Sequence, residues 1–262
     1  MSKLSVLWDN YQIYKGIKIY PFLMCDYDLF EDLISILLFE KNNLGYVEII
    51  KMSYLKFLIF IIPHMIDEDG KQYVDVLNKL HDLLKYILKD QEFNIYIDEE
   101  KIFINIKTNS NSIILNERDF DKIKEIIFIQ NAIPIIDKKL HPDLQKELQE
   151  NIKFMAKMQG QKEGTIEEQI ISYKCKMRFE SYKPIKKMTI YQFRKELSRL
   201  DLITDYQIYK TAEMSGMVTF NKPIPHWTSH ISDEPDYSRL MMSKQEFDKK
   251  MNEFAQEKIG GR

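Results

Sequence analysis

The amino-acid sequence predicts an α+β protein that is predominantly α-helical. Over most of the chain, including the C-terminal half outside residues 217–242, apolar residues recur at the three- and four-residue spacing of one helix face. Residues 93–115 instead alternate apolar and polar side chains, as half-buried strands do. Apolar residues make up 44% and charged residues 30% of the 262 residues, which is typical of a folded globular chain. We therefore expect a helical protein with one small antiparallel sheet.

The N-terminal part is predicted to contain three helices after a short strand or irregular segment. The alternation at residues 17–20 favours extended structure for that segment. Helical periodicity then begins at Asp26, and two further helices are expected at residues 49–62 and 73–89. The apolar face of the third helix is expected to consist of four residues: Leu77, Leu80, Leu84 and Ile87.

A hairpin is predicted where the period changes from helical to alternating. Two sets of three apolar residues alternate with polar ones: Phe93, Ile95, Ile97 and Ile102, Ile104, Ile106. Residues 98–101 form the turn between them, and residues 113–115 are expected to add a third strand.

Helix starts in the C-terminal half are marked by capping residues. A Ser, Thr or Asn followed three residues later by an acidic or amide side chain can satisfy the free amide groups of a first helical turn. Four pairs have this spacing: Asn116 with Asp119, Thr165 with Glu168, Thr189 with Gln192, and Ser243 with Glu246. Further helices are expected at residues 142–160 and from Asp205 to Ser215–Gly216. We predict an extended arm or ordered loop at residues 217–242, which contain three prolines.

The predicted domain organisation has three parts. Residues 1–116 form an α+β domain, residues 117–242 a helical domain that includes the arm, and residues 243–262 an amphipathic helix and tail. No linker-like composition marks the first boundary.

The sequence excludes several enzyme classes. Its eight glycines are too widely spaced for a G-x-G-x-x-G loop or a P-loop, and the G-x-S-x-G elbow of hydrolases is absent. The two cysteines, Cys25 and Cys175, form no C-x-x-C pair and fit a reducing compartment, where they would behave as small apolar residues. We expect no catalytic residue and no cofactor.

Charge and hydropathy argue against nucleic acid or a membrane as the main partner. The 38 basic residues nearly balance the 40 acidic ones, whereas a protein that neutralises a phosphate backbone needs a basic face. The most apolar stretch, residues 52–62, is shorter than the roughly 20 residues that span a bilayer. The start of the chain shows no signal-peptide pattern.

Three clusters of polar residues are candidate sites. His226 and His230 would share a helix face, as zinc ligands do, but the neighbouring prolines and the lack of a third ligand favour an ordered aromatic loop. The basic cluster at residues 174–187 lacks interleaved aromatic residues, which favours a solvated face over a nucleic-acid site. For residues 67–70 we favour a solvated acidic turn over a calcium loop, because the twelfth loop position would be Val76.

A series of aromatic side chains is the better candidate for a binding site. Tyrosine and tryptophan offer large contact area at low entropic cost and are enriched in protein interfaces. The predicted partner-binding residues are Tyr191, Tyr206, Tyr209, Phe220, His226, Trp227 and Tyr237. For Phe193 we expect core packing instead.

The same half of the chain resembles a group of proteins from tailed phages of low-GC Gram-positive bacteria. The similarity covers about residues 116–237. It rests on four segments: residues 120–131, residues 168–173, Met188-Thr189-Ile190-Tyr191-Gln192-Phe193 with Asp205-Tyr206-Gln207-Ile208-Tyr209, and Ser215-Gly216 followed by Pro225-His226-Trp227-x-x-His230-Ile231. These proteins are described as tail assembly chaperones or tail-region structural proteins.

This resemblance implies a non-enzymatic role in tail morphogenesis. A chaperone of this kind would bind the tape-measure protein, or a tail-tube protein, in the host cytoplasm, and self-association stays open. The alternative is a structural subunit of the tail or baseplate, which would be found in the virion. The third hypothesis is a metal- or nucleic-acid-binding factor that uses the histidines and the lysine cluster.

Overall fold

The chain begins with a short helix and a tight hairpin. The computed structural model describes residues 3–44, 46–66, 72–73, 75–89, 91–99, 101–108, 112–134, 164–220 and 223–231. Helix α1 (Lys3–Trp8) precedes antiparallel strands β1 (Gln12–Tyr14) and β2 (Ile17–Ile19). Lys15 (φ +49°) and Gly16 (φ +83°) form the two-residue turn, because hairpins of this length favour positive φ at both central positions. The extended segment is confirmed, whereas α1, too short to show a periodic face, was not predicted.

Helix α2 (Tyr27–Ile34) confirms the predicted start near Asp26, but the predicted helix at 49–62 is interrupted. Helix α3 (Val47–Lys51) ends where Met52 and Ser53 become extended. The Ser53 side chain then accepts a hydrogen bond from the Lys56 amide and starts α4 (Tyr54–Lys56). The chain continues through a π-helical turn (Phe57–Ile61) and a 3₁₀ turn (Ile62–His64). The break arises because a serine can cap a new helix within an apolar stretch.

Helix α5 (Val76–Leu88) confirms the third predicted helix with one change of face. Leu80, Leu84 and Ile87 are buried as expected, whereas Leu77 is 45% exposed. Val76 and Leu83 are buried instead, which rotates the apolar stripe away from Leu77.

The predicted three-stranded sheet is confirmed. Strands β3 (Glu92–Asp98), β4 (Lys101–Lys107) and β5 (Ser112–Leu115) pair antiparallel in the order β3-β4-β5. Ile102, Ile104 and Ile106 on the central strand are fully buried. Helix α6 (Glu117–Gln130) packs on this sheet and begins with the predicted capping box of Asn116 and Asp119.

The C-terminal half contributes three further described helices. Helix α7 (Ile166–Met177) and helix α9 (Ile190–Met214) begin with the capping boxes predicted at Thr165 and Thr189, and the short α8 (Lys183–Lys187) lies between them. The separate helix predicted from Asp205 is wrong, because α9 is continuous for 25 residues. Its predicted end at Ser215–Gly216 is correct: Gly216 adopts φ +70° after the last turn.

Both halves of the sequence share one hydrophobic core. Residues 1–135 and 165–231 group together as one compact unit, and this grouping crosses the position of the predicted boundary at residue 116. The Met24 amide donates to the Met188 carbonyl (2.9 Å), and the Ile190 amide donates to the Phe22 carbonyl (3.0 Å). Ile185, Ile190 and Phe193 are thereby buried with the N-terminal core residues.

Some predicted features lie outside the described residues. These are the acidic turn at 67–70, the helix at 142–160, the arm beyond residue 231 with Tyr237, and the C-terminal helix that follows Ser243. Within the described ranges, no helix is both long and apolar enough to cross a lipid bilayer.

Candidate functional site

Helix α9 carries three of the predicted aromatic residues, Tyr191, Tyr206 and Tyr209, and a capping box fixes its start. The Thr189 side chain accepts from the Gln192 amide (3.1 Å), and the Gln192 side chain accepts from the Thr189 amide (2.9 Å). On the neighbouring α7, the buried Tyr173 hydroxyl hydrogen bonds to Glu196 of α9. Burial raises the pKa of Tyr173, and the Glu196 carboxylate raises it further. Tyr173 therefore stays a neutral donor that holds α7 against α9.

The proline-rich arm runs back along one face of α9. Arg199 donates through Nη1 to the carbonyl oxygens of Trp227 (2.7 Å) and Ser229 (2.8 Å). The Tyr206 ring meets the His226 ring edge to face at 5.3 Å. One turn further on, Tyr209 meets Phe220 in the same way at 5.6 Å. The described arm, residues 217–220 and 223–231, contains no helix or strand, as predicted for an ordered loop.

His226 is engaged within this loop. Its Nδ1 lies 2.7 Å from the Thr228 hydroxyl and 3.3 Å from the Thr228 amide, and the His226 carbonyl accepts from the Ser229 amide (2.8 Å). These bonds form a turn, so His226 and His230 do not share a helix face. Across the described ranges, no three His, Cys, Asp or Glu side chains come together as a metal site would require.

The predicted partner-binding residues differ in their exposure. Trp227 is 45% and Tyr209 is 42% exposed, His226 is exposed, and Tyr206 and Phe220 are half-buried. Tyr191 is 7% exposed and therefore offers little contact area. Phe193 is fully buried, which confirms its expected core role. The structure thus groups five of the seven residues along one side of α9, and Tyr237 lies outside the described ranges.

Other exposed apolar residues extend this surface and were missed by sequence reasoning. At the end of α9 and the start of the arm, Met214 (85%), Met217 (89%) and Val218 (45%) are exposed. The aromatic residues form a recognisable series in the sequence, whereas Met214 and Met217 follow no periodic pattern. We use the name arm surface for Tyr206, Tyr209, Met214, Met217, Val218, Phe220, His226 and Trp227.

The other tryptophan of the chain, Trp8, lies at the end of a helix that is hydrogen bonded to α9. Trp8 is 73% exposed at the end of α1. Gln192 on α9 donates through Nε2 to the Leu7 carbonyl (2.8 Å). Gln192 precedes Arg199 by seven residues on the same helix. Because seven residues make about two helical turns, α1 and the end of the arm are anchored on one side of α9.

The basic cluster at residues 174–187 surrounds the junction of α7 and α8. The Lys174 ammonium lies over the Tyr182 ring (5.3 Å), and Lys176 donates to the Thr204 hydroxyl (3.0 Å). Lys183, Lys186 and Lys187 are exposed on α8.

The family comparison covers α7, α8, α9 and the described arm. Residues 157–232 match the family model described as the YomV second domain. This is a phage-derived family of the Bacillus-prophage type, and the match is consistent with a phage protein of low-GC Gram-positive bacteria. It falls within the region that carries the resemblance in the sequence. No curated protein and no solved structure matches the chain.

Proposed function

We propose that this protein is a non-enzymatic tail assembly chaperone that binds the tape-measure protein of a phage in the host cytoplasm. The phage-type family match supports the setting, and it spans the elements that build the arm surface. Binding would use Tyr206, Tyr209, Phe220, His226 and Trp227, with Tyr191 and Tyr237 as the remaining predicted contributors.

The exposure of Trp227 is the observation that carries this proposal. Arg199 holds the backbone at Trp227 and two residues later at Ser229, while 45% of the Trp227 side chain stays open to solvent. Such a ring binds at low entropic cost, because its position is set before the partner arrives. Burying an aromatic side chain contributes about 1.5–3 kcal/mol. Interface hot spots are enriched in tryptophan, tyrosine and arginine.

The exposed methionines support a helical, repetitive partner. Met214 and Met217 are unbranched and flexible, so they can adapt to different apolar side chains along a long helix. Amphipathic helices bind apolar surfaces of this kind through residues spaced three and four apart.

Co-expression with the tape-measure protein tests the proposal. We expect the tape-measure protein to become soluble and to co-purify with this chain. The substitution Trp227→Ala should weaken binding by about 2 kcal/mol, which is roughly thirtyfold in Kd by titration calorimetry. The matched control is Ile114→Ala, because Ile114 is 56% exposed on β5, away from the arm surface.

Two results would contradict this function. One is a tape-measure protein that stays insoluble and does not co-purify, and the other is an equal loss of affinity in the Trp227 and Ile114 variants. Mass spectrometry of purified particles separates the chaperone from the structural alternative, because a chaperone leaves the assembled tail and a subunit stays in it.

A further inference from the structure

A groove lies between the start of α2 and the first turns of α7. It has a volume of about 460 Å³ and is lined by residues that precede or begin α2 and by the exposed side of α7. Its apolar lining consists of Met24, Ile166, Ile170 and Ile171. This volume falls within the range of about 300–1,000 Å³ that is typical of ligand pockets. Ile171 and Tyr182, at its edge, are 43% exposed, so apolar area remains open to solvent.

Two carboxylates line the same groove. Asp28 lies in the first turn of α2 and Glu167 in the first turn of α7, where each also stabilises its own helix terminus. Both are exposed, and neither has an ion-pair partner in the part of the chain that the structure describes. The fold brings these two helix starts together, so two carboxylates without an ion-pair partner among the described residues lie beside the apolar lining. Positive charge also borders the groove, because Lys186 lies beside Cys25 and the Lys174 ammonium lies over the Tyr182 ring. The two carboxylates are therefore the positions at which a cationic side chain of a partner could bind.

We propose that this groove binds an apolar peptide segment with flanking lysine or arginine residues, supplied by a partner protein. The apolar side chains would occupy the space between Met24 and Ile170, and the cationic side chains would meet Asp28 and Glu167. This site is separate from the arm surface and does not require the partner to be a tape-measure protein.

The thiol of Cys25 provides a direct reporter, because it lines the groove. Cys25 and Cys175 are both free and exposed, so the expectation that they pack as small apolar residues is wrong. The neighbouring apolar residues are buried instead: Met24 precedes Cys25, and Tyr173 lies two residues before Cys175. Partial desolvation of the sulfur, followed by the neighbouring Asp26 carboxylate, raises the pKa of the Cys25 thiol, so alkylation is best followed at mildly alkaline pH. Cys175 on α7 does not line the groove and serves as the control thiol.

The test measures alkylation of each thiol in the full chain, in the single-thiol variants Cys175→Ser and Cys25→Ser. The probe is a synthetic amphipathic peptide of leucine and lysine, about four helical turns long. At a concentration ten times its Kd, this peptide should slow the alkylation of Cys25 by about tenfold and leave the alkylation rate of Cys175 unchanged. A peptide with glutamate in place of lysine should give no protection.

Charge substitutions test the role of the carboxylates. The double variant Asp28→Asn with Glu167→Gln should bind the lysine peptide about three- to tenfold more weakly and lose most of its dependence on salt. The matched control, Asp201→Asn with Asp205→Asn, removes two exposed carboxylates from α9 and should bind as the unchanged chain does. Equal protection of both thiols, protection by the glutamate peptide, or equal loss in both double variants would overturn the proposal. These outcomes leave the tape-measure experiment unaffected, since its probe residue is Trp227.

Discussion

Asp119 illustrates how a single side chain connects distant segments of this fold. It is 5% exposed and accepts hydrogen bonds from the Tyr14 hydroxyl (2.8 Å) and the Asn116 amide (3.0 Å). The Lys15 ammonium lies 2.7 Å from the same carboxylate. Asp119 therefore holds the β1–β2 turn against the start of α6.

The substitution Asp119→Asn should lower stability in a pH-dependent way. Burial by itself raises the pKa of Asp119, but the bonds from Lys15, Asn116 and Tyr14 outweigh it and hold the pKa below its ordinary value. A carboxyl group with a lowered pKa in the folded state stabilises the protein above its unfolded pKa of about 3.9, and this contribution is lost as the pH falls through the folded value. We expect the variant to unfold at lower denaturant concentration at pH 7, with the difference shrinking below about pH 4.

Urea denaturation between neutral and acidic pH, followed by circular dichroism, measures this difference. Asp201→Asn, an exposed substitution on α9, is the control and should shift stability by no more than about 0.5 kcal/mol. A difference for Asp119→Asn that stays constant down to acidic pH would show that the carboxylate charge does not matter.

At the scale of elements, the length of α9 is the main departure from the sequence prediction. Asp205 has the character of a helix start, and Ser198 and Thr204 are polar residues that often end helices. In the structure the Ser198 hydroxyl donates to the Arg194 carbonyl (3.0 Å) and the Thr204 hydroxyl to the Leu200 carbonyl (2.8 Å). No glycine or proline interrupts residues 190–214, so the helix continues through these positions.

The capping box at Thr189 should control the stability of this helix. The substitution Thr189→Ala removes the oxygen that accepts from the Gln192 amide and should cost about 1 kcal/mol of the free energy of unfolding. Thr189→Ser keeps that oxygen and should recover most of the loss. Thr211→Ala on the same helix removes an exposed hydroxyl that bonds to the Gln207 carbonyl and serves as the matched control. Equal effects in the two alanine variants, measured by denaturant unfolding, would contradict a role for the cap.

At the scale of the whole molecule, the family-matched region depends on the N-terminal region for its core. Asn131, at the end of α6, accepts from the Phe22 amide through its side chain (3.2 Å) and from Arg194 Nη1 through its carbonyl (3.1 Å). An antiparallel bridge also joins Leu23 to Thr189. Ile185, Ile190 and Phe193 are among the buried residues of the matched region that belong to the shared core.

A fragment of residues 157–232 should therefore fail to fold on its own. Exposing these three side chains would cost about 1.5–3 kcal/mol each, which is comparable to the roughly 5–15 kcal/mol that stabilises a whole domain. We expect the fragment to show no cooperative thermal transition by circular dichroism. Co-expression with residues 1–135 should restore one. A cooperative transition in the isolated fragment would contradict this dependence and favour an independent domain.

The sequence by itself determined the elements whose signals are local. The alternation at 93–106 set the hairpin, and the capping pairs at Asn116, Thr165 and Thr189 set three helix starts, because both depend on residues only a few positions apart. The aromatic series likewise contained most of the residues that line the arm surface.

Only the tertiary structure decided which of those residues are exposed and what lies beside them. Tyr191 and Tyr209 look alike in the sequence, yet one is buried in the core and the other faces solvent beside Phe220. The groove at Asp28 and Glu167 joins residues that are far apart in the chain. Burial and charge at such places depend on packing between distant segments, and no local pattern of residues specifies that packing.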